Sequence, residues 1–164
     1  RFAAMRGEAA LDARPWVPGR VNRVAPTCAT CHLSATPSRP ATHDAEATVA
    51  AALREGRALA QRGEVAAAAE LLKRHANAGA DNAEYRGLHA AVLQRLTLHA
   101  EAADEYRAAL RRAPNVSVWW LGLGISLEAR GRAAQARDAF ERARGGNLSA
   151  ELAAFADQRV QALR

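Results

Sequence analysis

The stretch SVWWLGLGISLEARGRAAQARDAFERA, residues 117–143, decides the fold because apolar residues recur in it at helical spacing on both sides of Gly131. Large and small residues stand at defined positions in it, which are Trp120, Leu123, Gly124, Leu127, Ala136, Phe140 and Ala143. The small residues let two helix backbones approach, and the large ones fill the space between them. Gly131 is expected to end the first helix in a left-handed conformation. The stretch therefore predicts two antiparallel helices, with Trp120 and Phe140 among the buried side chains.

The same pattern recurs twice upstream, at a period of about 34 residues. One period back, the equivalent positions hold Arg86, His89, Ala90, Leu93, Ala102, Tyr106 and Ala109, and Pro114 closes the unit. A further period back, they hold Gly56, Leu59, Gly63, Ala68, Leu72 and His75. Three units are therefore predicted, over about 49–82, 83–116 and 117–150.

The pattern of W, L, G, a bulky residue, A, F and A resembles the tetratricopeptide repeat, in which each unit is a pair of antiparallel helices. The resemblance implies an all-α solenoid of three helix pairs over 46–164. The final segment LSAELAAFADQRVQALR has apolar residues at helical spacing and predicts a capping helix at about 149–163. Asp81 with Glu84 is the expected capping box of the middle unit. Residues 1–45 are expected to form an irregular N-terminal arm.

Residues 99–163 are similar to the C-terminal region of tetratricopeptide proteins of MSHA-type pilus biogenesis. The distinctive parts are the pair Trp119-Trp120 followed by LGLGISLEA, and the closing LSAELAAFADQRV. This resemblance implies a scaffold that holds other proteins and that has no catalytic residues.

Residues 28–32 read CATCH and contain both cysteines of the chain. The C-x-x-C-H string is the attachment signature of c-type haem, in which two thiols add to the haem vinyl groups and the adjoining imidazole binds the iron. The segment is similar to the attachment loops of c-type cytochromes. That resemblance implies thioether bonds at Cys28 and Cys31, iron ligation by His32, and one covalent haem c.

Two other chemistries use a pair of cysteines at this spacing. A redox disulfide between Cys28 and Cys31 normally stands at the start of a helix after a strand, whereas prolines flank this pair. Structural zinc needs four ligands, and adding His43 to the two cysteines would still leave one ligand missing. The motif favours haem, and the disulfide and zinc remain alternatives.

The second axial ligand of the iron is not fixed by the motif. His43, in the stretch TPSRPATH, and Met5, the single methionine, are the candidates in the arm; a ligand from another subunit, water or an open position is the alternative. Arg20, Arg23 and Arg39 flank the motif and are candidate partners of the haem propionates, with solvated surface as the alternative. The remaining histidines fall in the repeats and are expected to be structural.

Composition narrows the function classes. Apolar residues make up 49% of the 164 residues and aromatic residues only 5%, which favours closely packed helices. The net charge of +6 comes from arginines spread among acidic residues, so no nucleic-acid binding is expected. No apolar run approaches the roughly 20 residues of a membrane span. The sequence has no paired carboxylates, nucleophile triad or phosphate loop, so it predicts no enzyme.

The sequence as a whole predicts a mono-haem c-type cytochrome on a tetratricopeptide scaffold, an electron carrier with redox partner proteins. The alternative is a scaffold of pilus or secretion machinery without haem. Because residues 1–45 offer little apolar cover for a haem, we expect self-association through the arm and the repeats, into an oligomer or a polymeric haem chain. Thioether attachment occurs outside the bacterial cytoplasm, so the expected location is the periplasm, the cell surface or the extracellular space.

Overall fold

The computed structural model describes residues 41–164, with side chains from residue 44 onward. This part of the chain is all-helical, with no strand. Its helices, in order, are α1 (Ala41–Gln61), α2 (Val65–Arg74), α3 (Ala83–Arg95), α4 (His99–Arg112), α5 (Ser117–Ala129), α6 (Ala133–Arg144) and α7 (Ala150–Ala162). The pairs α1–α2, α3–α4 and α5–α6 stack in sequence and α7 packs on α6, which confirms the predicted three helix pairs with a capping helix.

The turn inside each helix pair has the same geometry. Gly63, Thr97 and Gly131 occupy equivalent positions and have φ angles of 84°, 60° and 71°. In the third pair, the N–H of Arg132 donates to the carbonyl of Leu127 at 2.9 Å, and the N–H of Gly131 donates to Glu128 at 2.8 Å. These two bonds form a Schellman motif, which confirms the prediction for Gly131, and the turn at Gly63 has the equivalent pair of bonds. Thr97 adopts the same left-handed conformation although its side chain is β-branched.

Small residues facing large ones hold each pair together. Phe140 and Ala136 are fully buried in α6, and a Cβ atom on Gly124 would lie 2.7 Å from the Phe140 ring. That distance is far below ordinary van der Waals contact, so only glycine at 124 lets α5 and α6 approach this closely. In the first pair, a Cβ atom on Gly56 would lie 3.2 Å from Cδ2 of Leu72.

Two sequence predictions about individual residues were wrong. Trp120 is only partly buried, because its indole Nε1 reaches out to donate to the carbonyl of Pro114 at 2.8 Å. The middle unit is capped by Asn82, whose side chain accepts a hydrogen bond from the N–H of Tyr85 at 2.9 Å. The predicted capping residues instead form ion pairs with other helices, Asp81 with Arg112 of α4 and Glu84 with Arg57 of α1.

The capping helix α7 covers the end of the last pair. Ser149 caps its N-terminus, and Ala156 and Val160 are buried against the core around Phe140. The rings of Phe155 and Phe140 meet edge to face, with centroids 6.1 Å apart. None of the helices within 41–164 is long and apolar enough to span a bilayer.

Candidate protein-interaction surfaces

The residues predicted to hold a haem lie mainly outside the part that the structure describes. These are Met5, Arg20, Arg23, Cys28, Cys31, His32 and Arg39. His43 lies in the first turn of α1, which begins at Ala41, and its side chain is not among those described. Among residues 44–164, no three His, Cys, Asp or Glu side chains are grouped so that they could hold a metal ion.

The histidines of the repeats have structural surroundings. His75 caps the C-terminus of α2 and is half-buried, as is His99 at the start of α4. Nδ1 of His99 is buried without a hydrogen-bond partner among the described residues. His89, in α3, is buried with 9% of its surface exposed.

The inner face of the solenoid is built from the first helix of each pair. The helix α3 contacts both α1 and α5 directly, whereas the second helices of successive pairs make few direct contacts in the described part of the chain. The first helices therefore line the concave side, the surface on which stacked repeats hold extended partners. A groove of about 310 Å³ lies here, and its lining residues are Arg57, Glu84, Gly87, Leu88, Ala91, Tyr106, Val118 and Trp119.

Trp119 shapes this groove by lying directly on the backbone of α3. A Cβ atom on Gly87 would come within 2.4 Å of Cε2 of the Trp119 indole. Val118, beside it, is a large apolar side chain with 50% of its surface exposed, and Arg57 with Glu84 forms an ion pair at the opposite edge. The groove thus combines an apolar wall with a charged edge. The sequence feature that corresponds to this groove is the pair Trp119-Trp120. From the sequence alone, the pair was interpreted only as part of a family resemblance.

The outer face carries a second, larger opening between α2, α3 and α4, with a volume of about 510 Å³. We call it the acidic cavity. Its apolar lining consists of Ala66, Ala69, Leu93, Leu96 and Leu98. Its charged and titratable lining consists of Glu70, Lys73, His89, Glu101, Asp104 and Glu105.

A cluster of polar side chains borders the acidic cavity. Nδ1 of His89 lies 3.6 Å from Oε1 of Glu105, and Arg86 donates to Oε2 of the same carboxylate at 2.9 Å. The interaction with His89, followed by that with Arg86, lowers the pKa of Glu105 against the opposing effect of burial. Arg86 is also held by a 2.7 Å bond from its Nε to the carbonyl of Ala80.

This cluster replaces apolar packing found in the next repeat. One period downstream, the positions of Arg86, His89 and Glu105 hold Trp120, Leu123 and Ala139. Leu123 and Ala139 are buried and Trp120 is partly buried in the core of the last pair. His89 occupies a position of the repeat pattern and is visible there, whereas Glu105 lies outside that pattern and was not predicted. The available signal was that three positions change from apolar to polar together.

Solved structures share this architecture. The Yersinia enterocolitica type III secretion chaperone SycD, solved in complex with a peptide of the translocator YopD, is 13% identical, with a TM-score of 0.64, covering 71% of this chain and 92% of that one. The Sgt2 TPR domain from Aspergillus fumigatus is 21% identical, with a TM-score of 0.60, covering 69% and 79%. The TPR2B domain of yeast Sti1, in a complex with pHsp70, is 18% identical, with a TM-score of 0.63, covering 71% and 95%.

Comparison of the sequence with known families and proteins finds no relative. No protein-family model matches the chain, and no curated protein matches it. The likeness to solved structures concerns the fold, and it agrees with the helix pairs and turns described above. The repeats of this chain therefore have a tetratricopeptide-like fold.

Proposed function

We propose that this chain is a protein-interaction scaffold whose inner groove holds an extended segment of a partner. The observation that carries the proposal is the groove over α1, α3 and α5, with its apolar wall at Val118 and Trp119. Large apolar side chains left half-exposed beside a preformed concavity suit an extended peptide, whose alternate side chains need pockets. The structure of SycD with a YopD peptide supports the proposal by showing that a protein of similar fold takes a peptide.

The partner segment that we propose is the N-terminal arm of a second copy. Residues 13–42 contain prolines at 15, 18, 26, 37 and 40, and a proline-rich segment is biased towards the extended conformations that such grooves accept. Association of this kind joins copies head to tail, into an open chain if the rotation does not close. It would add apolar cover for a haem to the few large apolar side chains that residues 1–45 contain.

Binding of a labelled peptide to the full chain tests this proposal. The probe is a fluorescent peptide of residues 13–42 with Cys28→Ser and Cys31→Ser, followed by anisotropy. We expect Val118→Arg to weaken binding about tenfold or more, because it places a charge on the apolar wall. The matched control is Leu152→Arg, since Leu152 is a similarly exposed apolar residue, at 39%, on α7. Equal binding by both variants would contradict the groove as the site.

The arm is also proposed to carry one haem c. Cys28 and Cys31 would form the thioethers and His32 would bind the iron, with His43, Met5 or an external group as the second axial ligand. Haem supplies reversible one-electron transfer, so the scaffold would be an electron carrier rather than an enzyme, and it would work with redox partner proteins. Scaffolding without haem, in pilus or secretion machinery such as the MSHA-type systems, is the alternative, and it makes CATCH a structural segment.

Location follows from the haem proposal. Covalent attachment takes place outside the bacterial cytoplasm, so we propose a periplasmic, cell-surface or extracellular protein. Fractionation of cells that produce the full chain, followed by a haem stain on a denaturing gel, tests this. Haem-positive protein in the periplasmic or outer fraction supports the proposal, and a haem-positive cytosolic pool contradicts it.

A further inference from the structure

The outer face has cavities at equivalent places in two consecutive repeats. The acidic cavity lies between α2, α3 and α4, and a cavity of about 340 Å³ lies one period further on, between α4, α5 and α6. Leu93 and Asp104 of the first correspond to Leu127 and Asp138 of the second. Since α4 lines both, the two openings are neighbours on one face of the solenoid.

The two openings carry opposite charge. Around the acidic cavity, Glu70 and Glu101 are exposed and have no ionic partner among the described residues, and Lys73 is the lone lysine beside them. The second opening and the surface next to it are bordered by three arginines, and we call this surface the basic patch. Arg107 is paired with Asp104 of the acidic cavity at 2.9 Å, so Arg111 and Arg142 supply the positive charge that a partner can meet. Its members are Arg107, Arg111, Trp120, Leu123 and Arg142, with Asp138 at its edge.

The basic patch has the composition of a binding hot spot. Trp120 is half-buried, and the guanidinium of Arg142 lies 4.7 Å from the centroid of its ring, in cation–π contact. Arg111 is exposed and has no ionic partner in the described part of the chain. Tryptophan and arginine dominate the energetics of protein interfaces when a partner excludes water from them. The acidic cavity offers the complement, an apolar floor with Leu98 42% exposed at its rim.

We propose that two copies of this chain pair through their outer faces, so that the acidic cavity of each copy receives the basic patch of the other. Adjacent patches of opposite sign on one surface are self-complementary under a two-fold rotation, because the rotation reverses their order. Both contacts are then attractive, whereas a parallel arrangement would place like charges together. This interface does not use the inner groove, so it stands or falls independently of the proposed peptide binding.

Charge reversal in matched pairs tests the interface in the full-length protein. Every sample, including the one called wild type, also carries Val118→Arg, which weakens association through the inner groove. One variant carries Glu70→Arg with Glu101→Arg, and the other carries Arg111→Glu with Arg142→Glu. Sedimentation velocity over a range of concentrations measures association of the wild type, of each variant, and of their equimolar mixture. The control is Glu46→Arg with Glu55→Arg, which changes the net charge by the same amount and in the same direction as the first variant, at exposed positions on α1.

The two-fold interface predicts a specific pattern. The wild type and the control dimerise, and each reversed variant alone has a dimer dissociation constant raised about tenfold or more, because both of its contacts become repulsive. The equimolar mixture regains the dimer, because each of its two contacts again joins opposite charges.

Three results would overturn the proposal. These are a wild type that stays monomeric at high concentration, a mixture that fails to regain the dimer, and an association lost only in the variant of Glu70 and Glu101. The last result would mean that another basic segment, such as the arginine-rich residues 1–40, fills the acidic cavity. Circular dichroism of each variant confirms that a loss of association is not a loss of folding.

Discussion

Nδ1 of His89 lies 3.6 Å from Oε1 of Glu105, at two positions where the following repeat has a buried leucine and a buried alanine. The middle repeat has thus exchanged apolar packing for a polar cluster completed by Arg86. The side chains of Arg86 and Glu105 are 26% and 23% exposed, so their ion pair is largely removed from water. Such a pair recovers little more than its desolvation cost, but removal of one partner leaves an uncompensated charge. We therefore expect replacement of all three residues by apolar ones to cost no stability, and removal of a single one to destabilise the fold.

Transplanting the apolar set of the third repeat tests this expectation. We expect the triple variant Arg86→Trp, His89→Leu and Glu105→Ala to be as stable as the wild type or more so, by up to about 4 kcal/mol. Glu105→Ala alone is expected to cost about 3 kcal/mol, since it strands Arg86 and His89. Urea unfolding followed by circular dichroism measures both. A triple variant less stable than the single one would show that the two repeats do not pack alike.

The loss of stability at acidic pH is expected to depend on Glu105. Its pKa is lower in the folded protein than the usual value of about 4.3, chiefly because of His89 and then Arg86. The pair therefore stabilises the fold at pH values above the unfolded pKa, and this stability is lost as the pH falls through the folded pKa. We expect Glu105→Gln to flatten the decline in free energy of unfolding below about pH 5. An unchanged decline would mean that other carboxylates control it.

The turn at Thr97 is expected to be strained. Its φ of 60° matches Gly63 and Gly131 in the equivalent turns, yet a β-branched side chain disfavours this region. Thr97→Gly should therefore raise the free energy of unfolding, by about 1 kcal/mol, whereas Gly131→Ala should lower it by about as much. No side chain obstructs a Cβ atom at Gly131, so backbone conformation is the only cost there. Changes of the same sign in both variants would contradict this account.

The close approach of α5 and α6 should show up as coupling between Gly124 and Phe140. Gly124→Ala is expected to cost about 1–3 kcal/mol by overpacking, and Phe140→Ala about 3–5 kcal/mol by loss of burial and a cavity. In the double variant the added methyl group has room, so its cost should largely vanish. A double-mutant cycle in urea measures the coupling. Additive costs would mean that the two residues do not meet.

The buried positions that follow from the repeat period were predicted correctly from the sequence. The slots of Leu127, Ala136 and Phe140 are buried as expected, because periodic small and large residues leave one way for helices to pack. The prediction failed where two neighbouring residues could both cap the same helix. Asn82 and Asp81 are both good capping residues, and the ion pair with Arg112 decides between them. Glu105 and Gly87 were missed because their roles depend on neighbours from other helices, and a linear pattern does not contain those contacts.

The haem ligands should each be indispensable for maturation. We expect Cys31→Ala or His32→Ala in the full chain to abolish or severely reduce covalent haem incorporation, because one removes a thioether and the other the iron ligand. A haem stain after denaturing electrophoresis measures the loss. The control is His75→Ala, since His75 lies at the end of α2 and has no proposed part in haem binding. A His32→Ala protein that keeps full haem content would contradict the assignment.

The measurement that tests the central claim most directly is a pyridine haemochrome spectrum of the full chain, purified after export in a host that assembles c-type cytochromes. The account predicts a c-type spectrum with one haem per chain that remains bound after acid–acetone extraction, because Cys28 and Cys31 hold it covalently. A folded, exported chain without haem would contradict it and would leave the scaffold as the sole function.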